Sequence, residues 1–289
     1  MPGWADAIAA IVALPGGLTN HNYVVRVRGA EFVLRLSGND TDLLGIDRVV
    51  ELQANRQAAA LGIAPEVVSF VEPEGFLVTR FVVANTGPDL ADPDVMHQIG
   101  AIMRRFHASD ALPATFDCFR IPETYARTAS ARGVTLPEAL DAALAIAGHI
   151  EVAFATTPEP LVPAHNDLLN ANFLRDATGR IWLIDWEYAG MNSRWFDLGN
   201  LATNHELDEQ AREALLHAYN GRVSSDGMAR IELMQVMSDL REAMWGVVQQ
   251  GISTLDVDFV AYADRFFDRL LHNASAPSFR RAIDRVERG

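Results

Sequence analysis

The sequence has 289 residues and a formal net charge of −14, and this length suits one large domain or two smaller ones. Its composition, with 49% hydrophobic and 21% charged residues, is that of an ordinary globular protein. The acidic excess argues against binding to nucleic acid or to anionic membranes, and it fits a cationic substrate better than an anionic one. A single cysteine, Cys118, excludes an internal disulfide framework and a cysteine-rich zinc site, which favours a cytoplasmic location.

No apolar stretch reaches the length of a membrane span, and residues 1–14 lack the basic region of a signal peptide. We therefore expect no membrane insertion. The sequence also contains no lysine, so all 24 basic residues are arginines. Schiff-base chemistry and a phosphate-binding lysine are therefore excluded, and any bound phosphate must be held by arginine.

Residues 1–84 read as a small lobe made mainly of β-strands. The pattern predicts a short amphipathic helix at 4–13, two strands within 23–36, and a helix at 47–61 that begins near Asp47. Segments 65–70 and 75–82 then form a predicted hairpin.

The turn that precedes the first of these strands carries groups that could bind phosphate. Gly16 and Gly17 allow backbone N–H groups to approach an anion, and Thr19, Asn20 and Asn22 offer further donors. A glycine pair before a strand is more often a simple turn, so both interpretations stay open.

Two charged residues of the same lobe suggest an ion pair. Arg35 lies among apolar residues of a predicted strand, where protein kinases carry the lysine that contacts phosphates, and arginine can bind phosphate bidentately. Glu51 lies in the first turns of the helix at 47–61 and could pair with Arg35, as a glutamate pairs with that lysine in protein kinases. The alternatives are an arginine on the exposed face of an edge strand and a surface glutamate.

Residues 85–289 read as a larger, mostly helical lobe. A helix begins at Asp92-Pro93 and ends near His107, residues 110–134 are predicted to be irregular, and another helix covers 137–154. Helices resume after Leu198, and the last is predicted at 256–271.

The polar residues between 163 and 187 form the most informative pattern. His165, Asp167 and Asn172 have the spacing H-x-D-x-x-x-x-N, and Asp185 follows an apolar run at 181–184. In phosphoryl transfer such an aspartate orients the acceptor hydroxyl and accepts its proton, while the asparagine and the later aspartate bind Mg²⁺. A buried structural histidine among ordinary loop residues would explain any one of them, but the whole set favours a kinase that uses ATP. The strands predicted on either side of a turn at 176–179 would hold Asn172 and Asp185 on one rigid support.

The sequence resembles the choline/ethanolamine kinase family. The resemblance rests on His165-Asn166-Asp167, on Ile184 to Tyr188 and on Phe196 to Asn200, and it extends from about Leu14 to Leu271. That family belongs with the aminoglycoside phosphotransferases, which share a protein-kinase-like fold. The resemblance implies an α+β, two-lobed fold with a nucleotide-binding lobe at 1–84 and a catalytic and substrate-binding lobe at 85–289. It implies ATP and Mg²⁺ as cofactors, a structural role for Asp197, and nucleotide contacts by Gly17, Thr19, Asn20, Asn22, Arg35 and Glu51.

The resemblance also identifies candidate acceptor-binding residues. Trp245 and Tyr262 match aromatic residues of the family's substrate pocket, and Glu187 belongs to one of the matching motifs. Two positions depart from the family pattern, because Glu242 stands where a tryptophan is frequent and Asn204 stands where a glutamate is expected. A carboxylate in place of an aromatic ring suits an amine that can donate hydrogen bonds. The alternative for Trp245 and Tyr262 is ordinary core packing.

These observations predict a kinase that transfers the γ-phosphate of ATP to the hydroxyl of choline, ethanolamine or a related cationic alcohol. The alternatives are an aminoglycoside or thiamine phosphotransferase and a catalytically silent binding module with the same fold. Intact Asp167, Asn172 and Asp185 argue against the silent module.

Overall fold

The structure is a computed structural model that describes residues 4, 7–15, 20–38 and 41–289. The chain forms two compact units. We call residues 1–88 together with 171–188 the N-terminal unit, and residues 89–170 together with 189–289 the C-terminal unit. The segment 171–188 therefore groups with the N-terminal unit, although it follows the predicted boundary at residue 84 by many residues. The division into a nucleotide-binding and a substrate-binding lobe at that boundary stays a prediction.

The N-terminal unit contains a five-stranded antiparallel sheet with the strand order β1-β2-β3-β5-β4. Its strands are β1 (Ile8–Leu14), β2 (Asn20–Val27), β3 (Ala30–Ser37), β4 (Val67–Val71) and β5 (Phe76–Arg80).

The helix predicted at 4–13 is wrong, because β1 occupies this segment and pairs with β2 from Leu14 opposite Asn22 to Ile8 opposite Val27. Its alanines suggested a helix, but the β-branched Ile8, Ile11 and Val12 suit a strand, and pairing with β2 decides between the two.

Helix α1 (Arg48–Ala60) follows a short 3₁₀ turn at Thr41–Leu44. The prediction of this helix is confirmed, and the Asp47 side chain caps it by accepting hydrogen bonds from the backbone N–H groups of Val49 and Val50. The predicted hairpin also forms, since β4 and β5 pair around a turn at 72–75.

The remaining strands are short. They are β6 (Ala84–Thr86), β7 (Val162–Ala164), β8 (Phe173–Asp176), β9 (Ile181–Leu183) and β10 (Gly190–Asn192). In the N-terminal unit β6, β8 and β9 form a three-stranded sheet, and the predicted β8–β9 hairpin is confirmed. In the C-terminal unit β7 pairs with β10.

The C-terminal unit is mostly helical. Its helices are α2 (Pro93–His107), α3 (Ile121–Ala131), α4 (Leu140–Thr156), α5 (Arg194–Asn204), α6 (Glu209–Asn220), α7 (Ser225–Ile252), α8 (Phe259–Ser275) and α9 (Pro277–Arg288). Within the described ranges no helix is both long enough and apolar enough to cross a membrane.

Two helices of this unit contradict the sequence prediction. Helix α3 occupies part of the segment predicted to be irregular. No side chain caps its first turn, although Pro122 and Glu123 in that turn are signals of a helix start that the prediction missed. Helix α9 follows α8, which was predicted to be the last helix, and Pro277 stands in its first turn.

Helix α7 is the centre of the C-terminal unit and packs against α3, α5, α8 and α9. Most of its residues from Gly227 to Gln249 are buried on all sides of the helix, which is typical of a central helix rather than a surface one. Gly199 lets α5 approach closely, since a Cβ at this position would lie 2.6 Å from the backbone carbon of Met234. The polar residues of α7 are therefore inserted into an otherwise apolar core.

Candidate active site

The N-terminal unit contains a buried cluster of arginines and carboxylates. Arg35 on β3 forms an ion pair with Glu51 on α1, which confirms that the two side chains pair. Strand β3 lies between β2 and β5, so the alternative of an exposed edge-strand arginine is wrong. Glu51 is only 1% exposed and is not a surface glutamate. Burial by itself would lower the pKa of Arg35, but Glu51, Asp185 and Glu187 raise it above the usual value, so the guanidinium stays charged.

A second arginine, Arg48, extends this cluster. Its Nη1 lies 2.8 Å from Glu51 Oε2 and 3.1 Å from Glu187 Oε2, and its Nη2 donates to Asn20 Oδ1 at 3.2 Å. Asn20 Nδ2 in turn donates to Glu187 Oε2 at 2.8 Å. Sequence analysis missed Arg48, although its position three residues before Glu51 on one helix is a usable signal.

Two of the other four predicted nucleotide-binding residues, Asn20 and Asn22, lie in the same region. Asn22 lies on β2 directly opposite Arg35 on β3. Gly17 and Thr19 lie outside the described residues. Glu187 contacts Arg48 and Asn20. Its contact with the phosphoryl acceptor stays a prediction.

The β8–β9 hairpin brings Asn172 and Asp185 to one end of the same sheet. Phe173 pairs with Leu183, and the Ile184 N–H donates to the Asn172 carbonyl at 3.0 Å. The next residue, Asp185, has a positive φ of 65° and a side chain that is 37% exposed. Its Oδ1 lies 3.6 Å from Arg35 Nη1. The hairpin thereby places the backbones of Asn172 and Asp185, which carry an amide oxygen and a carboxylate, close to each other in the N-terminal unit.

In the C-terminal unit the loop that carries His165 and Asp167 is held by Asp197. The Asp197 carboxylate accepts hydrogen bonds from the backbone N–H groups of His165 at 2.9 Å and Asn166 at 2.7 Å. His107 Nε2 lies 2.9 Å from the same carboxylate. Burial opposes ionisation of Asp197, but the bonds with His107 and the loop hold its pKa below the usual value. Asp197 therefore has the structural role predicted for it, and His107 supports its carboxylate.

Further hydrogen bonds fix the residues around Asp167. The His165 ring is buried and its Nδ1 lies 3.2 Å from the backbone nitrogen of Asp167. Asn200 on α5 accepts a hydrogen bond from the Leu168 N–H at 2.6 Å and donates to Ser238 on α7 at 2.9 Å. His165 thus supports the loop, and the position of Asp167 is set by both α5 and α7.

Asp167 also contacts polar residues of α7 and α8. We call Asp167, Arg241, Glu242 and Tyr262 the Arg241 cluster; the first three are buried and Tyr262 is half-buried. Arg241 Nη1 donates to Asp167 Oδ1 at 3.1 Å and forms an ion pair with Glu242 Oε1. The Tyr262 hydroxyl donates to Glu242 Oε2 at 2.7 Å. Burial, together with the nearby carboxylate of Glu242, raises the pKa of Tyr262, so this hydroxyl stays protonated. Arg241 was missed by sequence analysis because it stands within an apolar helix pattern.

Aromatic rings lie beside this cluster. The Trp245 ring lies 5.5 Å from the Tyr262 ring and 5.9 Å from the Phe259 ring, measured between centroids. Gly246 allows Tyr262 to approach α7, since a Cβ there would lie 2.8 Å from the tyrosine Cδ1. Trp245 is 6% exposed, and its predicted contact with substrate stays a prediction. Asn204 ends α5 and does not belong to the Arg241 cluster.

Residues 10–233 match the model of the phosphotransferase enzyme family. The chain belongs to this family. Among solved structures, this phosphotransferase resembles a choline/ethanolamine kinase family protein from Mesorhizobium loti, with 31% identity and a TM-score of 0.83 over 100% of this chain and 95% of the other. The predicted family resemblance and the α+β protein-kinase-like fold are thereby confirmed.

Two curated relatives agree with this assignment. Ethanolamine kinase 2 of Mus musculus is 27% identical over an alignment of 295 positions, including gaps, that covers 91% of this chain and 75% of the relative. Protein LicA of Haemophilus influenzae is 29% identical over 211 residues, which cover 71% of this chain and 61% of the relative. The match to LicA therefore spans less than two thirds of that protein.

Proposed function

We propose that this phosphotransferase transfers the γ-phosphate of ATP to the hydroxyl of a small amino alcohol, with choline and ethanolamine as the first candidates. The observation that carries the proposal is the position of Asp167 in a loop braced by Asp197 and in contact with Arg241. A carboxylate fixed in this way can orient an alcohol and accept its proton as the oxygen attacks phosphorus. The names of the relatives support a small amino alcohol as the acceptor.

The N-terminal unit offers groups that fit a nucleotide phosphate. Arg35 Nε and Nη2 are buried, and they have no hydrogen-bond partner among the residues that the structure describes. Buried guanidinium N–H groups need acceptors, and phosphate oxygens satisfy them with charge-assisted bonds. Glu51 and Arg48 hold the Arg35 side chain and its surroundings in place.

Asn172 and Asp185 fit a magnesium ion. Both offer oxygen ligands, and Mg²⁺ in kinases is usually held by one or two protein ligands together with substrate phosphates and water. Such an ion supplies positive charge that stabilises the phosphoryl group during transfer. In this protein Asp185 would be the anionic ligand and Asn172 the neutral one.

The acceptor is tested by measuring ADP release with ATP, Mg²⁺ and a panel of alcohols. The panel contains choline, ethanolamine, their N-methylated intermediates, aminoglycosides and thiamine. We expect turnover with choline or ethanolamine and not with the last two classes. Turnover with aminoglycosides or thiamine alone would refute the proposed acceptor, and nucleotide binding without any turnover would favour a silent binding module.

The metal site is tested with Asp185→Ala. We expect this variant to lose about 100-fold in affinity for Mg²⁺–nucleotide, because Asn172 alone is a poor ligand for a hard cation. Titration with a non-hydrolysable ATP analogue measures the affinity, with and without Mg²⁺. Asp176→Ala is a suitable control, since Asp176 lies at the turn end of the same hairpin. Unchanged affinity in Asp185→Ala would place the metal elsewhere.

A further inference from the structure

Arg241 is a buried cation shared between two carboxylates of different expected function. It is 2% exposed, and its Nη1 contacts both Asp167 Oδ1 and Glu242 Oε1. Asp167 is the proposed base that takes the hydroxyl proton, whereas Glu242 is predicted to bind the alcohol substrate. One guanidinium therefore links the two groups.

The charges of the Arg241 cluster explain why this link is rigid. Two carboxyl groups and one guanidinium are buried together, and a buried charge is tolerated only if it is paired and hydrogen-bonded. A guanidinium presents its donors in a fixed planar arrangement, so its position defines the direction of each carboxylate that it binds. The Tyr262 hydroxyl bonds to Glu242 and holds the opposite end of the cluster.

Arg241 cannot itself accept a proton, because the guanidinium stays protonated in proteins. Any contribution to phosphoryl transfer must therefore act through Asp167, by fixing its carboxylate and by placing a positive charge beside it. Removal of the guanidinium would take away the charged donor that lies 3.1 Å from Asp167 Oδ1. A misdirected base loses rate even when substrate still binds.

We propose that Arg241 is a positioning residue that holds Asp167 in the orientation for accepting the hydroxyl proton, and that Glu242 and Tyr262 hold Arg241. The inference rests on the proposed function, in which Asp167 is the base. The proposal has a consequence for specificity. Glu242, which is expected to bind the alcohol, is bonded to Arg241, which orients the base Asp167. Substrate choice and catalytic rate are thereby coupled through one side chain.

The test compares Arg241→Met, Arg241→Lys, Asp167→Asn and the double variant Arg241→Met/Asp167→Asn. Arg230→Met is the matched control. Arg230 is also a buried arginine of α7, with its Nε 2.8 Å from Asp226 Oδ2, and it precedes Arg241 by eleven residues, or about 16 Å along the helix. For each variant kcat, KM, Mg²⁺–nucleotide affinity and the free energy of unfolding are measured.

We expect Arg241→Met to lower kcat by roughly 10- to 100-fold, the usual loss when a group that orients a reacting residue is removed. Mg²⁺–nucleotide affinity should change less than about twofold, because the groups proposed to bind the nucleotide belong to other residues. Arg241→Lys retains a cation and should recover part of kcat. In the Asp167→Asn background the effect of Arg241→Met on kcat should largely vanish, since a residue that acts through Asp167 has nothing left to position.

Arg230→Met should lower stability while leaving kcat close to wild type in both backgrounds. Equal losses of kcat from Arg241→Met in the presence and absence of the Asp167 carboxylate would overturn the proposal. A loss confined to stability would overturn it as well. If Arg241→Met does not fold, Arg241→Lys supplies the same comparison in both backgrounds.

Failure of the proposed function is a separate outcome. If the wild-type protein phosphorylates none of the amino alcohols, the contact is tested by a double-mutant cycle of Arg241→Lys and Asp167→Asn on the free energy of unfolding. Non-additive changes support the coupling between the two side chains. Additive changes overturn it.

Discussion

The charged clusters of the two units are built in opposite ways. In the N-terminal unit the cations Arg35 and Arg48 are held by the carboxylates Glu51 and Glu187. In the C-terminal unit the carboxylates Asp167 and Glu242 are held by the cation Arg241. The first arrangement fixes the orientation of guanidinium groups, and the second fixes the orientation of carboxylates.

This difference matches the chemistry that each unit is proposed to perform. A phosphate chain needs positively charged donors, whereas a hydroxyl group and an amine need carboxylates. Each working group is buried, so it requires partners of opposite charge that hold it without neutralising its function. In a sequence without lysine, arginine is both the proposed phosphate ligand and the support of the carboxylates.

The largest effect is expected from removing the proton acceptor. Asp167→Asn should lower kcat by about 10²- to 10⁴-fold, the usual contribution of a general base, and should leave nucleotide affinity within about twofold. Steady-state kinetics and nucleotide titration measure the two quantities. Near-wild-type turnover in the folded variant would show that the Asp167 carboxylate is not the base.

The corresponding change in the N-terminal unit is Arg35→Met. It leaves the buried Glu51 with Arg48 as its ion-pair partner, and we expect the free energy of unfolding to fall by about 3 kcal/mol. Urea unfolding measures this change.

The double variant Arg35→Met/Glu51→Leu separates support from function. It also removes the buried Glu51 carboxylate, which Arg35→Met deprives of one of its two arginine partners, so it should recover stability but not nucleotide affinity. Recovery of both would mean that Arg35 has a structural role only.

A third test concerns Asp239, a buried carboxylate of α7 whose partner Arg269 compensates it incompletely. Burial raises the pKa of Asp239 from 3.8 to about 6, although its bonds with Arg269 oppose the rise. Since the folded state holds this proton more tightly than the unfolded state, the stabilisation is complete below about pH 4 and is lost as the pH rises through 6. The shift corresponds to about 3 kcal/mol at most.

The measurement is the difference in unfolding free energy between wild type and Asp239→Asn from pH 4 to pH 8. The variant should gain relative stability by about 2–3 kcal/mol as the pH rises. Burial also lowers the pKa of His205 to about 4, but this group titrates in both proteins and cancels in the difference. A difference that does not depend on pH would contradict the prediction.

The smallest expected effect concerns selectivity. Glu242→Gln removes a carboxylate that is predicted to lie beside the acceptor, and a charge-assisted hydrogen bond is worth about 1.5–3 kcal/mol. An ammonium with N–H donors loses this contribution, whereas a trimethylammonium group has no such bond to lose. The ratio of kcat/KM for ethanolamine to that for choline should therefore fall by about tenfold.

Glu232→Gln on the same helix is the control for this change and should leave the ratio unaltered. An unaltered ratio in Glu242→Gln would mean that Glu242 acts only as a support for Arg241 and Tyr262. In that case the Arg241 cluster would support the base without selecting the amine of the substrate.

Much of the site follows from local sequence. Asp47 predicts the start of α1, since a side chain that accepts backbone N–H bonds works within one helical turn. The short turn at 176–179 predicts the β8–β9 hairpin, and antiparallel pairing then brings Asn172 and Asp185 together. The spacing of His165, Asp167 and Asn172 is likewise a property of adjacent residues.

Other features depend on residues that are distant in sequence. The strand β1 replaces a predicted helix because pairing with β2 outweighs the local preference of its alanines. Helix α3 begins without a side-chain cap, so its packing against α7 adds to the weak local signal of Pro122 and Glu123.

The sequence by itself determined the family, the β-rich and helical halves, and the identity of the proposed base and metal ligands, because these depend on motifs and periodicity within short segments. Only the tertiary structure decided which charged residues support them. Arg241 lies 74 residues after Asp167, so its local sequence, which includes its neighbour Glu242, does not indicate Asp167 as a partner. Their contact exists because α7 is buried on all sides and its few polar side chains must find opposite charges within the folded core.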